Sequence, residues 1–188
     1  MSEAIEVELA LAKRLVAEQH PDLLADLVFV ASGWDNSIFR LGDSLTVRLP
    51  RRAEAAQLAL NDERWLPLIA SGVTTPIPVP VRVGRPTDYV PWPWSIGRSL
   101  DGEPAIKVTP AVRRSIAEEL ADFYVELHQP APADAPVNDV RGVPLRDRAK
   151  AVSDRLTGGR VPRAPQLLEL WDRLLVTPAR VRSPVWLH

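Results

Sequence analysis

Apolar and polar positions along this chain follow two periods. Over residues 3–19, Ile5, Leu9, Ala12 and Val16 recur at helical spacing, and the segment stops at His20-Pro21, because a residue before proline is pushed out of the helical region. The period then drops to two. Leu27-Val28-Phe29-Val30-Ala31 is a short apolar run, Ile38 and Arg40 alternate with Phe39 and Leu41, and Leu45, Val47 and Leu49 alternate with Thr46 and Arg48. This predicts three strands, with Gly42-Asp43 as a tight hairpin between the second and third and the longer Ser32-Gly33-Trp34-Asp35-Asn36 between the first two. Residues 53–71 return to helix, with Ala55, Leu58, Trp65, Leu66 and Ile69 on one side and Gly72 as the stop. Val79, Val81 and Val83 alternate as a fourth strand whose prolines at 78 and 80 mark an edge or an irregular entry, and Trp94–Arg98 predicts a fifth.

Beyond the loop Leu100-Asp101-Gly102-Glu103-Pro104 the pattern is helical. Thr109 is placed to cap, Pro110 suits a first turn, and Val112, Ile116, Leu120, Phe123 and Leu127 form one continuous stripe over 109–128. Leu145, Ala149, Val152 and Leu156 predict another helix, and Leu167, Leu170, Trp171 and Leu174 a third. Near the end, Pro184-Val185-Trp186-Leu187 reads as a buried strand leading into His188. A sheet region interrupted by one helix and followed by helices is an α+β arrangement. The expected division falls at the joint near residues 98–104, giving lobes over 1–100 and 101–188.

Composition narrows the function classes. A formal net charge of -1 gives no electrostatic case for nucleic acid or an anionic membrane as partner. The absence of Cys excludes disulfides, thiolate metal sites and cysteine nucleophiles. The acidic start Met1–Glu8 is not a signal peptide, no apolar run approaches the ~20 residues of a membrane span, and a cytoplasmic location is the expectation. The 19 prolines cluster between periodic segments and read as rigid loops.

The sheet region holds parts that suit phosphoryl transfer, a reaction that needs positioning and charge neutralisation more than covalent help. The Ser32–Asn36 loop lies between two strands, where its backbone would cover a phosphate tail. Arg48 projects from the third strand, Glu63 follows on the next helix, and Gly97–Asp101 leaves the fifth strand where exposed backbone groups would meet an adenine edge. Each has a plainer reading. Arg48 alone is a solvated strand residue, Glu63 a surface helix charge and Gly33 a turn glycine. Trp92 and Trp94 read as packing residues, His128 as a structural hydrogen bonder, and Arg141, Arg146, Arg148 and Lys150 as a solvated helix face.

Taken together, Ser32–Asn36, Val47-Arg48-Leu49-Pro50-Arg51, Asn61-Asp62-Glu63-Arg64-Trp65-Leu66, Pro91–Ile96, Leu127-His128 and Trp186-Leu187-His188 resemble, in order and spacing, the aminoglycoside phosphotransferase family, which has a protein-kinase-like fold. The resemblance implies a small five-stranded antiparallel sheet lobe with one inserted helix, followed by an incomplete helical lobe. It implies ATP as cofactor, with Arg48 on the phosphates, Glu63 as its ion-pair partner, Ser32 and Gly33 in the phosphate-covering loop, and Arg98 and Leu100 presenting backbone groups to adenine. Arginine stands at 48 where kinase-like folds usually have lysine, which replaces a compact point charge by a planar fork. His188 would open a His-Gly-Asp segment whose aspartate, with a later asparagine and second aspartate that hold Mg2+ in the full-length parent, lies outside these residues. The implied activity is transfer of phosphate from ATP to a hydroxyl of a small molecule, an aminoglycoside or another antibiotic. The chain as given is expected to be inactive, with exposed apolar area on helices 109–128 and 164–176 and self-association through it. The alternative is a non-catalytic nucleotide-binding or protein-interaction domain.

Overall fold

The computed structural model describes residues 8–138, 142–178 and 183–187. Helix α1 (Leu9–Gln19) ends where His20 leaves the helical region ahead of Pro21. The strands β1 (Leu27–Ser32), β2 (Asn36–Leu41) and β3 (Leu45–Pro50) follow. Helix α2 (Ala53–Ala70) comes next, then β4 (Pro80–Gly84) and β5 (Trp94–Arg98). All five strands form one antiparallel sheet in the order β1-β2-β3-β5-β4. This is the expected α+β, kinase-like sheet lobe with one inserted helix. The proline-flanked β4 stands at an edge, with its register shifted between Pro80 and Arg82, as a strand lacking a donor must. The β2–β3 connection spans three residues, one more than the predicted pair, since Leu41 faces Leu45 directly; Gly42 takes the left-handed φ of 57° that opens this turn.

Strand alternation divides the sheet into two unlike faces. Phe39, Leu41, Val47, Leu49, Trp94 and Ile96 point to one side and close over Ala12, Leu15 and Val16 of α1, with Leu27 and Val90 completing a buried core. Trp94 owes its place to Gly84, its direct cross-strand partner: a Cβ on Gly84 would stand 1.8 Å from the indole ring. The ring of His20 meets the same indole edge-on at 5.4 Å between centroids. The residues between these core positions, Ile38, Arg40, Thr46, Arg48, Ser95 and Gly97, belong to the other face.

The helical part departs from the sequence reading in three places. The expected continuous helix over 109–128 is two, α3 (Pro110–Ser115) and α4 (Ala117–Leu127), broken at Ile116. Thr109 caps α3 as expected, but the Ser115 hydroxyl bonds back to the Val112 carbonyl at 2.9 Å, which competes with helix continuation ahead of a β-branched residue. The compact units divide between Leu127 and His128, so α3 and α4 group with the sheet. One cause is visible: Glu126 of α4 accepts from both the backbone N–H and the hydroxyl of Thr74, at 2.7 and 2.9 Å. In the second unit, helices α5 (Ala149–Thr157) and α6 (Ala164–Leu175) follow a 3-10 turn at Leu145–Arg148. Val185 makes only an isolated bridge with Pro130, and Leu187 is exposed, so Pro184–Leu187 is not the buried strand expected. His188 and Arg141 lie outside the described residues.

Candidate nucleotide cleft

Arg48 reaches the polar face because Val47 and Leu49, its neighbours on β3, are fully buried on the other. Its direct partner across the β3–β5 ladder is Ser95, and Thr46 faces Gly97 in the same way. These four residues, with Pro78, Arg98 and Leu100, line a cavity of about 180 Å³. Three of the residues singled out from sequence, Arg48, Arg98 and Leu100, therefore share one cleft. Gly97, the start of the Gly97–Asp101 stretch also singled out, lines it too, whereas Thr46, Ser95 and Pro78 were missed. The signal for Thr46 was present, since once Arg48 is placed on a strand the period of two puts Thr46 on the same face; Ser95 joins only through the pairing of β3 with β5.

Arg98 belongs to the cleft through its backbone, because alternation along β5 sends its side chain to the opposite face from Ser95 and Gly97. The Ser99 N–H is consumed by the Ser44 carbonyl at 2.8 Å. The Leu100 N–H, two residues beyond the last strand pairing at Arg98, has no hydrogen-bond acceptor among the described residues. It is a free donor at the rim of the cavity.

The carboxylate facing Arg48 is Asp62 and not Glu63. Asp62 Oδ2 lies 3.4 Å from Arg48 Nη1, with both side chains about one-third exposed, whereas Glu63 points to solvent. The reason is helical spacing. Ala55, Ala59, Asp62, Leu66 and Ile69 follow one another at steps of three or four along the inward face of α2, and Glu63 sits about 100° around from Asp62. Burial pushes the Asp62 carboxyl above its ordinary pKa, and the Arg48 charge offsets only part of that. At 3.4 Å the pair is longer than a charge-assisted hydrogen bond of about 2.7–2.9 Å. Arg48 is thus held near the cleft without being locked to its partner.

Ser32 and Gly33 are not in the wall of this cavity. They belong to the β1–β2 loop, closed by a Gly33 N–H bond to the Asn36 carbonyl at 2.9 Å and by the paired hydroxyls of Ser32 and Ser37 at 3.2 Å. Arg51 Nη1 donates to the Gly33 carbonyl at 2.8 Å, and the Arg51 N–H donates to the Asp35 carbonyl at 2.8 Å. The N–H groups of Trp34 and Asp35 bond to no acceptor among the described residues. Gly33 itself has no positive φ, and a Cβ there would meet only the Asn36 carbonyl oxygen, at 3.9 Å. Neither backbone conformation nor packing within the chain demands glycine at that position.

The family model described as the phosphotransferase enzyme family matches residues 26–188. The chain belongs to that family. Its fold is that of solved aminoglycoside and macrolide phosphotransferases. A GDP complex of an aminoglycoside 2'-phosphotransferase is similar with a TM-score of 0.67 at 20% identity, covering 91% of this chain and 60% of that one. The GDP and kanamycin complex of APH(2")-IIia gives a TM-score of 0.64 at 20% identity, covering 89% and 59%. The macrolide 2'-phosphotransferase type I gives 0.53 at 20% identity, covering 91% and 61%. This phosphotransferase-family chain thus spans about 60% of the length of those relatives. Among curated proteins none matches significantly. No described helix is long and apolar enough to cross a membrane.

Proposed function

We propose that the cleft on the polar face of the sheet binds ATP, and that the whole protein transfers the terminal phosphate to a hydroxyl of a small molecule. The observation that carries this reading is the shared lining of one cavity by Arg48, the Arg98 backbone and Leu100, in a chain of the phosphotransferase family. A volume of about 180 Å³ is below the roughly 300–1,000 Å³ of pockets that enclose a whole ligand. It suits a flat base, with the phosphates leaving it past Arg48. The Leu100 N–H is a donor for a ring nitrogen, and the Arg48 guanidinium offers paired donors to phosphate oxygens. The free amides of Trp34 and Asp35 are further donors for a phosphate tail, in the manner of a backbone nest.

Among the described residues no group of three His, Cys, Asp or Glu side chains is placed to hold a metal ion. By resemblance, magnesium and the aspartate that would accept the hydroxyl proton are assigned to residues of the whole protein. These 188 residues supply the nucleotide half of the reaction and are proposed to bind ATP without transferring phosphate. Aminoglycosides or other antibiotics are the proposed acceptors, since such compounds are named for the structural relatives.

The test is titration of this chain with ATP, read as a rise in thermal midpoint, because a ligand that binds only the folded state stabilises it. Arg48→Ala is the control. A concentration-dependent rise in the native chain that is lost in the variant supports the reading. No rise at millimolar ATP, with the chain folded, overturns it and favours a domain that binds partners other than nucleotide.

A further inference from the structure

The loop assigned to the phosphates carries a negative charge of its own. Asp35 follows directly on Gly33-Trp34, and its amide is one of the two free donors. An unneutralised carboxylate there would oppose the ligand those donors are suited to hold. The chain supplies the neutralising charge from Arg52, two residues beyond the end of β3. Arg52 Nε donates to Asp35 Oδ1 at 2.9 Å, and Nη2 reaches the same oxygen. The Arg52 side chain is 16% exposed, which marks it as held in place where most surface arginines are free. Its guanidinium also lies over the Trp34 ring, 5.0 Å from the centroid, and Nη1 stands 3.9 Å from Glu54.

Arg51 acts on the same loop through the backbone. A trans peptide sets its carbonyl and the following N–H on opposite sides. Holding the Gly33 carbonyl on Arg51 therefore turns the Trp34 N–H away from Arg51. Two successive arginines fix this loop, one setting its backbone and the other its charge.

We propose that Arg52 is a positioning residue for polyphosphate binding: it neutralises Asp35 and thereby keeps the Trp34 and Asp35 amides available to an anion. The inference rests on the nucleotide reading of the cleft. It predicts that the effect of Arg52 scales with the number of phosphates on the ligand and passes through Asp35.

The experiment measures dissociation constants of ATP, ADP and adenosine by calorimetry at low salt for the native chain and for Arg52→Met, Arg52→Lys, Asp35→Asn and the double variant. Arg52→Met is expected to weaken ATP about tenfold, the scale of one uncompensated charge a few ångströms from a phosphate, to weaken ADP less, and to leave adenosine unchanged. Arg52→Lys should recover part of the loss. The double variant should return ATP to near the native value. Equal weakening of adenosine and ATP overturns the proposal, as does a double variant as weak as Arg52→Met, which would mean that Arg52 touches the ligand itself. Should Arg52→Met fail to fold, Asp35→Asn alone decides: ATP a few-fold tighter with adenosine unchanged supports the proposal, and unchanged ATP overturns it. Failure of the native chain to bind both ATP and adenosine overturns the nucleotide reading instead, whatever Arg52 does.

Discussion

Arg48 on β3 faces Asp62 on α2 at 3.4 Å, while the neighbouring Glu63 turns to solvent. The cation assigned to the phosphates is thus oriented by a half-buried aspartate one position before the residue that the resemblance suggested.

That pairing separates two adjacent carboxylates in one experiment. Asp62→Ala leaves Arg48 without its partner and is expected to weaken ATP about tenfold, within the range of a partly buried ion pair that orients a ligand group. Glu63→Gln is expected to change ATP affinity by less than about twofold, since exposed charges contribute little. Calorimetric titration of both variants checks this. The reverse order of effects would restore Glu63 as the partner of Arg48.

The raised pKa of Asp62 has a consequence for the ligand-free chain. A carboxyl whose folded pKa lies above its unfolded value contributes stability only when protonated. That contribution is fully present below the ordinary aspartate pKa of about 3.9 and is lost as pH rises through the folded value. At neutral pH the ionised group therefore costs stability, and Asp62→Asn should melt at a higher temperature than the native chain. The gap should close as pH falls towards 4. Thermal melts across pH 4–8 check the sign, and an Asp62→Asn chain that melts lower at pH 7 would contradict it.

Gly33 discriminates fold from function. Its φ is not positive and a Cβ meets nothing closer than 3.9 Å, so Gly33→Ala is expected to change unfolding free energy by less than about 0.5 kcal/mol. Gly33→Val should leave the chain folded yet weaken ATP more than adenosine, because a branched side chain crowds the free amides of the loop. Denaturant unfolding beside ATP titration measures both quantities.

Gly84 is the opposite case. A methyl group there would lie 1.8 Å from Cε2 and 2.1 Å from Nε1 of Trp94, at the centre of the α1–sheet core. Gly84→Ala is expected to destabilise the chain by at least about 1–3 kcal/mol through overpacking, lowering the urea midpoint. Gly84→Ala with Trp94→Leu should recover part of that loss. A neutral Gly84→Ala would show that the indole has another place to go.

Exposed apolar side chains also bear on behaviour in solution. Val112, Ile116, Leu120 and Val125 in the first unit and Leu167, Leu170 and Leu174 in the second are each at least 38% exposed, as the sequence led one to expect. Self-association through these faces predicts an apparent mass that rises with concentration in sedimentation, reversed by charged substitutions such as Leu167→Glu with Leu170→Glu on α6.

The order of helix and strand, the five strands and the buried side of β2 and β3 were legible in the sequence, because periods of two and 3.6 are local consequences of backbone geometry; along β4 the valine alternation misled, since Val81 is 36% exposed. So were Arg48, Arg98 and Leu100, which the fold brings to one cleft. The choice between Asp62 and Glu63 was legible in principle, since Asp62 continues the inward stripe from Ala55 and Ala59. Leu58, placed on that inward side from sequence, is 48% exposed. Only the tertiary structure decided the rest. Ser95 and Gly97 became neighbours of Arg48 and Thr46 through a pairing of strands distant in sequence. The break at Ile116 and the division after Leu127 depend on bonds such as Glu126 to Thr74, across 52 residues. Local periodicity fixes which face a residue takes; which distant residue meets it there is set by packing, and no window along the chain contains that information.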